Sequence, residues 1–199
     1  RYGGILGDFD LKNLRSKCRI RMIPVINPDC CKINQNGIYR NFPYKKISLE
    51  QERNHETISD GTKNIRGVDL NRNFNAKWLQ MKSENPNRDD FGAFPESEVE
   101  TASLTGRMRK DLPSSAIILR TGNDTLIYPE EATAKELREA TFLGQYGRLS
   151  VRKATDTGGT ALQWFTDRGV KTVEIRISDL SPEQYTRIRN LLMMCAALT

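Results

Sequence analysis

The sequence predicts an α/β fold, a three-layer sandwich in which a mixed β-sheet is flanked by helices. Two observations lead there. Residues 171–177 (K-T-V-E-I-R-I) alternate strictly between apolar and polar, the period of a half-buried strand. Segments of that kind take turns along the chain with segments whose apolar residues recur at helical spacing. In a chain of 199 residues, alternating strands and helices point to helices layered on one sheet. The length suits a single domain spanning residues 1–199.

Each element has its own signal. Residues 19–26 (R-I-R-M-I-P-V-I) alternate and then become continuously apolar, as a strand entering a buried sheet would, and Asn27-Pro28-Asp29 stops them with turn chemistry. Residues 34–66 are polar, with Gly37, Pro43 and Gly61, and read as a long surface excursion of the kind that carries function. A second polar stretch, 83–92, precedes Pro95-Glu96-Ser97-Glu98, where Ser97 or the Pro starts a helix carrying Val99, Ala102, Leu104 and Met108. Short strands follow at 115–119 and 125–128. Residues 130–146 read as a helix with Leu137, Ala140 and Leu143 on one side and Gly147 beyond its end, and 149–152 as a short strand. Residues 160–167 make a helical turn or two ended by Gly169. In 171–177, Val173, Ile175 and Ile177 share one face and Glu174 points to the other. Ser181-Pro182-Glu183 caps a last helix, with Tyr185, Ile188, Leu191, Leu192 and Cys195 at helical spacing.

Composition removes several function classes. Hydrophobic residues make up 37% and charged residues 28%, which excludes a disordered chain, a coiled coil and a collagen-like repeat. No apolar run approaches the roughly 18–20 residues of a membrane-spanning helix, so no membrane span is expected. The net charge of +6 comes from short clusters at 15–21 and 107–110, and aromatic residues are only 8%. A nucleic-acid binder concentrates its basic residues in a stripe with interleaved aromatics, so no nucleic-acid partner is expected and the basic residues read as solvated surface. Cys18, Cys30, Cys31 and Cys195 are too few and too irregular for a disulfide scaffold and contain no C-x-x-C pair; the compartment stays open. The first seven residues lack the features of a signal peptide, and without an initiator Met the chain is expected to begin inside a longer one.

Five motifs fall in a recognisable order. Ile23-Pro24-Val25-Ile26-Asn27-Pro28-Asp29 resembles the strand and N-P-D-G turn of the zinc carboxypeptidases, the carboxypeptidase A-like metallopeptidases. Gly67-Val68-Asp69-Leu70-Asn71-Arg72-Asn73-Phe74 matches that family's G-V-D-L-N-R-N-F signature without a mismatch. Pro95-Glu96-Ser97-Glu98-Val99-Glu100-Thr101 is similar to its P-F-S-E-P-E-T helix start, and Ile127-Tyr128-Pro129 and Thr172-Val173-Glu174 match later landmarks. The wording around Gly67 also resembles the bacterial branch that trims peptidoglycan peptides. The resemblance implies the family's mixed sheet with flanking helices, here lacking the N-terminal part of that fold. It implies a peptide or peptidoglycan-peptide C-terminus as partner.

The resemblance also assigns residues. Asn71 and Arg72 match the pair that holds a substrate's terminal carboxylate, and a planar guanidinium with an adjacent amide suits that task. Arg66 stands where related sequences place a substrate- or oxyanion-directed Arg, and Glu174 matches the general base that acts on metal-bound water. Active members bind zinc through a His-x-x-Glu pair and a later His, leaving a position for water. Here residues 1–16 contain no histidine, and Arg120 occupies the expected third-ligand position; a guanidinium has no free lone pair for a metal. His55, the only histidine, lies in the polar excursion and reads as an exposed loop residue. The tyrosine expected near Ala154 is missing, and Cys30 replaces the turn's usual Gly. No metal is therefore expected in this chain. Three readings follow: a recogniser of peptide C-termini impaired in hydrolysis, an active peptidase completed by upstream ligands, or a structural domain in which the motifs support the fold.

Overall fold

The computed structural model describes residues 5–6, 9–10, 16, 19–24, 26–28, 63–64, 66–155, 158–178 and 182–197. Two short strands, β1 (Ile5–Leu6) and β2 (Phe9–Asp10), pair antiparallel. Then come α1 (Trp78–Glu84), α2 (Val99–Lys110), β3 (Ser115–Thr121), β4 (Thr125–Tyr128), α3 (Ala134–Gly147), β5 (Ser150–Lys153), α4 (Ala161–Thr166), β6 (Lys171–Ile177) and α5 (Pro182–Ala197). These fall into two compact units, one of Arg1–Met22, Pro113–Thr155 and Arg168–Thr199, the other of Ile23–Leu112 and Asp156–Asp167. Among the described residues no helix is long and apolar enough to cross a membrane.

The first unit holds a four-stranded mixed sheet in the order β3-β6-β4-β5. Central β6 runs parallel to β3 and antiparallel to β4, and β4 runs parallel to β5. Alternation along β6 sends Val173, Ile175 and Ile177 to one face, where they meet Leu126 of β4 and the inward sides of α3 (Ala140, Leu143) and α5 (Ile188, Leu191, Cys195). Ile175 and Leu126 are completely buried. Burying such a side chain contributes about 1.5–3 kcal/mol, so this face, with two helices laid on it, is the unit's core. Thr172, Glu174 and Arg176 occupy the other face. The fold is thus the mixed sheet with flanking helices that the sequence predicts.

Helix α3 begins later than its periodicity suggests. Its N-cap is Thr133, whose hydroxyl accepts from the Glu136 N–H while the Glu136 carboxylate accepts from the Thr133 N–H. This capping box is legible as T-A-K-E, whereas residues 130–132 form a turn. Gly147 closes the helix instead of following it, and Arg148 takes the left-handed cap. A Cβ on Gly147 would come within 2.9 Å of Leu191, and one on Gly144 would overlap Val151. Both glycines let neighbouring elements approach α3.

Two sequence expectations need correction, and one helix had no signal in the sequence. Residues 19–24 form no strand, and Ile20, Met22 and Ile23 are exposed. An apolar alternating run becomes a strand only when a neighbour supplies its hydrogen bonds, and no described strand pairs with this one. Helix α2 starts at Val99, two residues after Ser97, with Glu98 extended at the N-cap position and its carboxylate bonded by Asn64 instead of capping the helix. Helix α1 was not foreseen; it is seven residues long and buries only Trp78 and Met81, too short for a periodic signal. His55, Cys18, Cys30, Cys31 and most of the 34–66 excursion lie outside the described residues.

Cys195 is buried in the core of the first unit, and burial pushes its thiol up to about 12. A thiol so far from its thiolate is a poor nucleophile. Brief alkylation of the folded chain at pH 8, mapped by mass spectrometry, is expected to leave Cys195 unmodified and to label it fully in urea; native labelling would contradict the packing of α5.

Candidate functional site

In the second unit the G-V-D-L-N-R-N-F segment is built outward from Asn64. The buried Asn64 Oδ1 accepts from the N–H groups of Arg66 and Val68, which folds a turn around Gly67 at φ +79°, a conformation glycine tolerates. Asn27 of the N-P-D motif donates to the Lys63 carbonyl, and Lys63 bridges to Asp69. Asp69 caps a single 3-10 turn, Leu70–Arg72, by accepting from the Asn71 N–H. Burial of Val68, Leu70 and Phe74 leaves Asn71 and Arg72 only partly covered on the turn.

The two residues are held differently. Asn71 Oδ1 accepts from the Ala161 N–H at 3.0 Å, tying the turn to the start of α4. Its Nδ2 makes no hydrogen bond to the described residues and remains available as a donor. The Arg72 Nε lies 3.6 Å from the Asp69 carboxylate, and the guanidinium sits 5.8 Å from the centre of the Phe91 ring. Beneath it Gly159, at φ +75°, packs so closely on the Arg72 carbonyl that a Cβ would overlap it. Gly158-Gly159-Thr160 therefore forms the turn and Thr160 the N-cap that lead into α4.

Asp90 adds to the local field. Burial pushes its carboxyl up, but paired hydrogen bonds from Arg88 and the charges of Arg88, Lys63 and Arg72 outweigh that and hold it below the usual carboxylate range. A carboxyl lowered in the folded state stabilises fully above the unfolded value near pH 4, and that contribution is lost as the pH falls through the folded value. Asp90→Asn is expected to cost about 1 kcal/mol at pH 7 and little at pH 2.5, measured by urea unfolding at both values. An equal cost at both pH values would remove the charge argument.

Two residues to which sequence reasoning gave no role, Asn73 and Glu98, form the interior support. Asn73, fully buried, donates through Nδ2 to the carbonyls of Phe91 and Phe94 and to Ser97 Oγ, and accepts from the Glu98 N–H. Glu98, 1% exposed, accepts from Asn64 Nδ2 at 2.8 Å and from Ser97 Oγ at 2.9 Å. Arg66 is its cationic neighbour, with Nε at 3.6 Å and a side chain 60% exposed. The P-E-S-E helix start and the N-R-N-F motif are thus one hydrogen-bonded network, a relation that two separate motifs do not disclose.

The first unit holds Glu174 and Arg120. Glu174 is 2% exposed, so it is no solvent-facing strand residue. Its Oε1 accepts from Arg176 Nε at 2.7 Å and lies 3.7 Å from an Arg120 terminal nitrogen. Register explains the cluster, because β3 and β6 place Ile118 beside Glu174 and Arg120 beside Arg176 on one face. Glu174 and Arg120 are thus brought together in one unit, and Asn71, Arg72 and Arg66 belong to the other.

The donor set does not suit zinc. No group of three or more His, Cys, Asp or Glu side chains gathers among the described residues. At the position that the resemblance gives to the third ligand, Arg120 directs a cation at Glu174, and Arg176 supplies a second. A divalent ion there would face two guanidiniums and a single carboxylate, so no chemistry is derived through a metal.

The mixed sheet and the helices layered on it define an α/β fold. The zinc carboxypeptidase family model matches residues 6–183, and the chain belongs to that family. It is 30% identical over 100 residues to gamma-D-glutamyl-L-diamino acid endopeptidase 1 of Lysinibacillus sphaericus, covering 48% of this chain and 25% of that protein. It is 31% identical over 127 residues to human mast cell carboxypeptidase A, covering 53% of this chain and 30% of that one. Among solved structures it resembles murein-tripeptide amidase MpaA from Escherichia coli O157, with a TM-score of 0.52 and 22% identity, over 87% of this chain and 63% of the other. The matched regions span only about a quarter to a third of the curated relatives' length.

Proposed function

We propose that residues 1–199 act as one zinc-carboxypeptidase-like domain that binds the free C-terminus of a peptide or peptidoglycan peptide and is impaired in cutting it. The family reaction is hydrolysis of peptide bonds near a C-terminus, and relatives named for a diamino-acid endopeptidase and a murein-tripeptide amidase support cell-wall peptides as the ligand class. One observation carries the impairment. The carboxylate in the general-base position, Glu174, is engaged by Arg176, with Arg120 alongside. A base already accepting from a guanidinium is poorly placed to take a proton from water. Recognition is supported by Asn71, whose Oδ1 is anchored at Ala161 while its Nδ2, next to Arg72 in the turn, makes no hydrogen bond to the described residues. Arg66, held at Glu98 with most of its side chain in water, can add charge to that surface.

Charge-assisted hydrogen bonds contribute about 1.5–3 kcal/mol, a factor of roughly ten to a hundred in affinity. A short peptide with a free C-terminus should therefore bind that much more tightly than its C-terminal amide and be recovered uncut. Arg72→Ala should erase the difference, and Arg72→Lys should recover only part of it, since an ammonium lacks the planar fork. Calorimetry on acid and amide peptides measures this directly. A second reading has its own observation: Arg72 is only 19% exposed, next to Asp69 and over Phe91, as a structural residue would be. Equal affinities for acid and amide would establish that reading. Stoichiometric cleavage of the acid peptide would instead favour an active peptidase with ligands outside the described residues.

A further inference from the structure

We propose that Arg120 and Arg176 form a binding site for a small oxyanion, a carboxylate or a phosphate, on the polar face of the sheet. The site goes beyond the C-terminus reading and stands whether or not Arg72 binds a peptide. The register makes Arg120 and Arg176 direct partners on adjacent parallel strands, about 4.8 Å apart at the backbone. Like charges placed opposite one another repel. One carboxylate, Glu174, faces both, so the cluster keeps a surplus of one positive charge.

Hydrogen bonding leaves the same surplus. Arg176 spends Nε on Glu174, and its terminal nitrogens have no hydrogen-bond partner among the described residues. The Arg120 contact, at 3.7 Å, is an ion pair too long for a hydrogen bond, and it is the only polar contact of that side chain there. The side chains are 24% and 38% exposed, partly withdrawn from water yet reachable. Gly122 leaves room for the Arg176 stem, since a Cβ there would come within 2.8 Å of the Arg176 Cβ and 3.0 Å of its Cδ. Two guanidinium forks with spare donors, held on one face, fit an oxyanion that accepts paired N–H groups. Where the family's chemistry calls for a metal cation, this chain presents fixed organic cations.

Arginine side-chain signals of the 15N-labelled full chain should be followed during titration with sodium acetate and with sodium phosphate at constant ionic strength, with chloride as reference. The Nε–H signals of Arg120 and Arg176 are expected to shift saturably with at least one of the two, and the stronger anion identifies the preferred oxyanion. Arg120→Gln should weaken binding at least tenfold, and Glu174→Gln should tighten it severalfold by removing the competing carboxylate. Should Glu174→Gln fail to fold, Arg120→Lys takes its place, with an affinity expected between those of the parent and Arg120→Gln. Shifts that stay linear and equal to those with chloride would overturn the site. So would a folded Glu174→Gln chain that binds more weakly than the parent, or equal affinities for the parent, Arg120→Lys and Arg120→Gln.

Discussion

Asn73→Ala is expected to lower the free energy of unfolding by about 3–5 kcal/mol, although the residue touches no proposed ligand. Its amide donates to three acceptors and accepts one N–H, and the bonds to Phe91 and Glu98 are buried. Each bond contributes a net ~1 kcal/mol, and truncation also strands buried carbonyls that water does not reach. The backbone carbonyl of Asn73 accepts from the Glu96 N–H at 2.5 Å, so the loss falls where the 91–98 segment is anchored. Urea unfolding followed by the fluorescence of Trp78 and Trp164 measures the effect, with the exposed Asn75→Ala as a control expected to stay within about 0.5 kcal/mol. A loss below about 1 kcal/mol for Asn73→Ala would show that the network is not the anchor described.

Gly159→Ala should cost about 3 kcal/mol or more, and Gly169→Ala only about 1 kcal/mol. Both glycines have positive φ, +75° and +73°, so both substitutions incur the left-handed strain of ~1 kcal/mol. At Gly169 an added Cβ meets nothing within 4 Å; at Gly159 it overlaps the Arg72 carbonyl. Backbone bonds to Phe74 at 2.8 Å and Ala76 at 2.7 Å prevent Gly159 from moving aside. The difference between the variants isolates the close approach from the strain. Because the overlapped atom belongs to Arg72, Gly159→Ala should also erode the preference for acid over amide peptides. Equal stabilities for the two variants would place the Gly159 turn away from Arg72.

The candidate site was legible in part. The unbroken signature located Asn71 and Arg72, and its turn exists, capped by Asp69 as an Asp before a helical turn should be. Nothing in the order N-R-N distinguishes Asn71, which reaches Ala161, from Asn73, which reaches Phe91, Phe94 and Ser97. Both partner sets lie far along the chain, beyond any local pattern. Glu174 could be assigned to a face but not to an environment, since strict alternation is the same for a solvated Glu and a buried one.

Local periodicity and capping chemistry determined β6, β4, α3 and α5, because the apolar side of a strand or helix is written every two or every 3.6 residues. The same residues placed the chain in its family through motifs that keep their order. Tertiary structure alone decided that residues 19–24 form no strand, that Glu98 turns inward to Asn64, and that Arg176 is the donor that binds Glu174. The reason is common to all three. Pairing, burial and ion partnership depend on which distant segments meet, and a one-dimensional pattern records which face is apolar but not what arrives to cover the other.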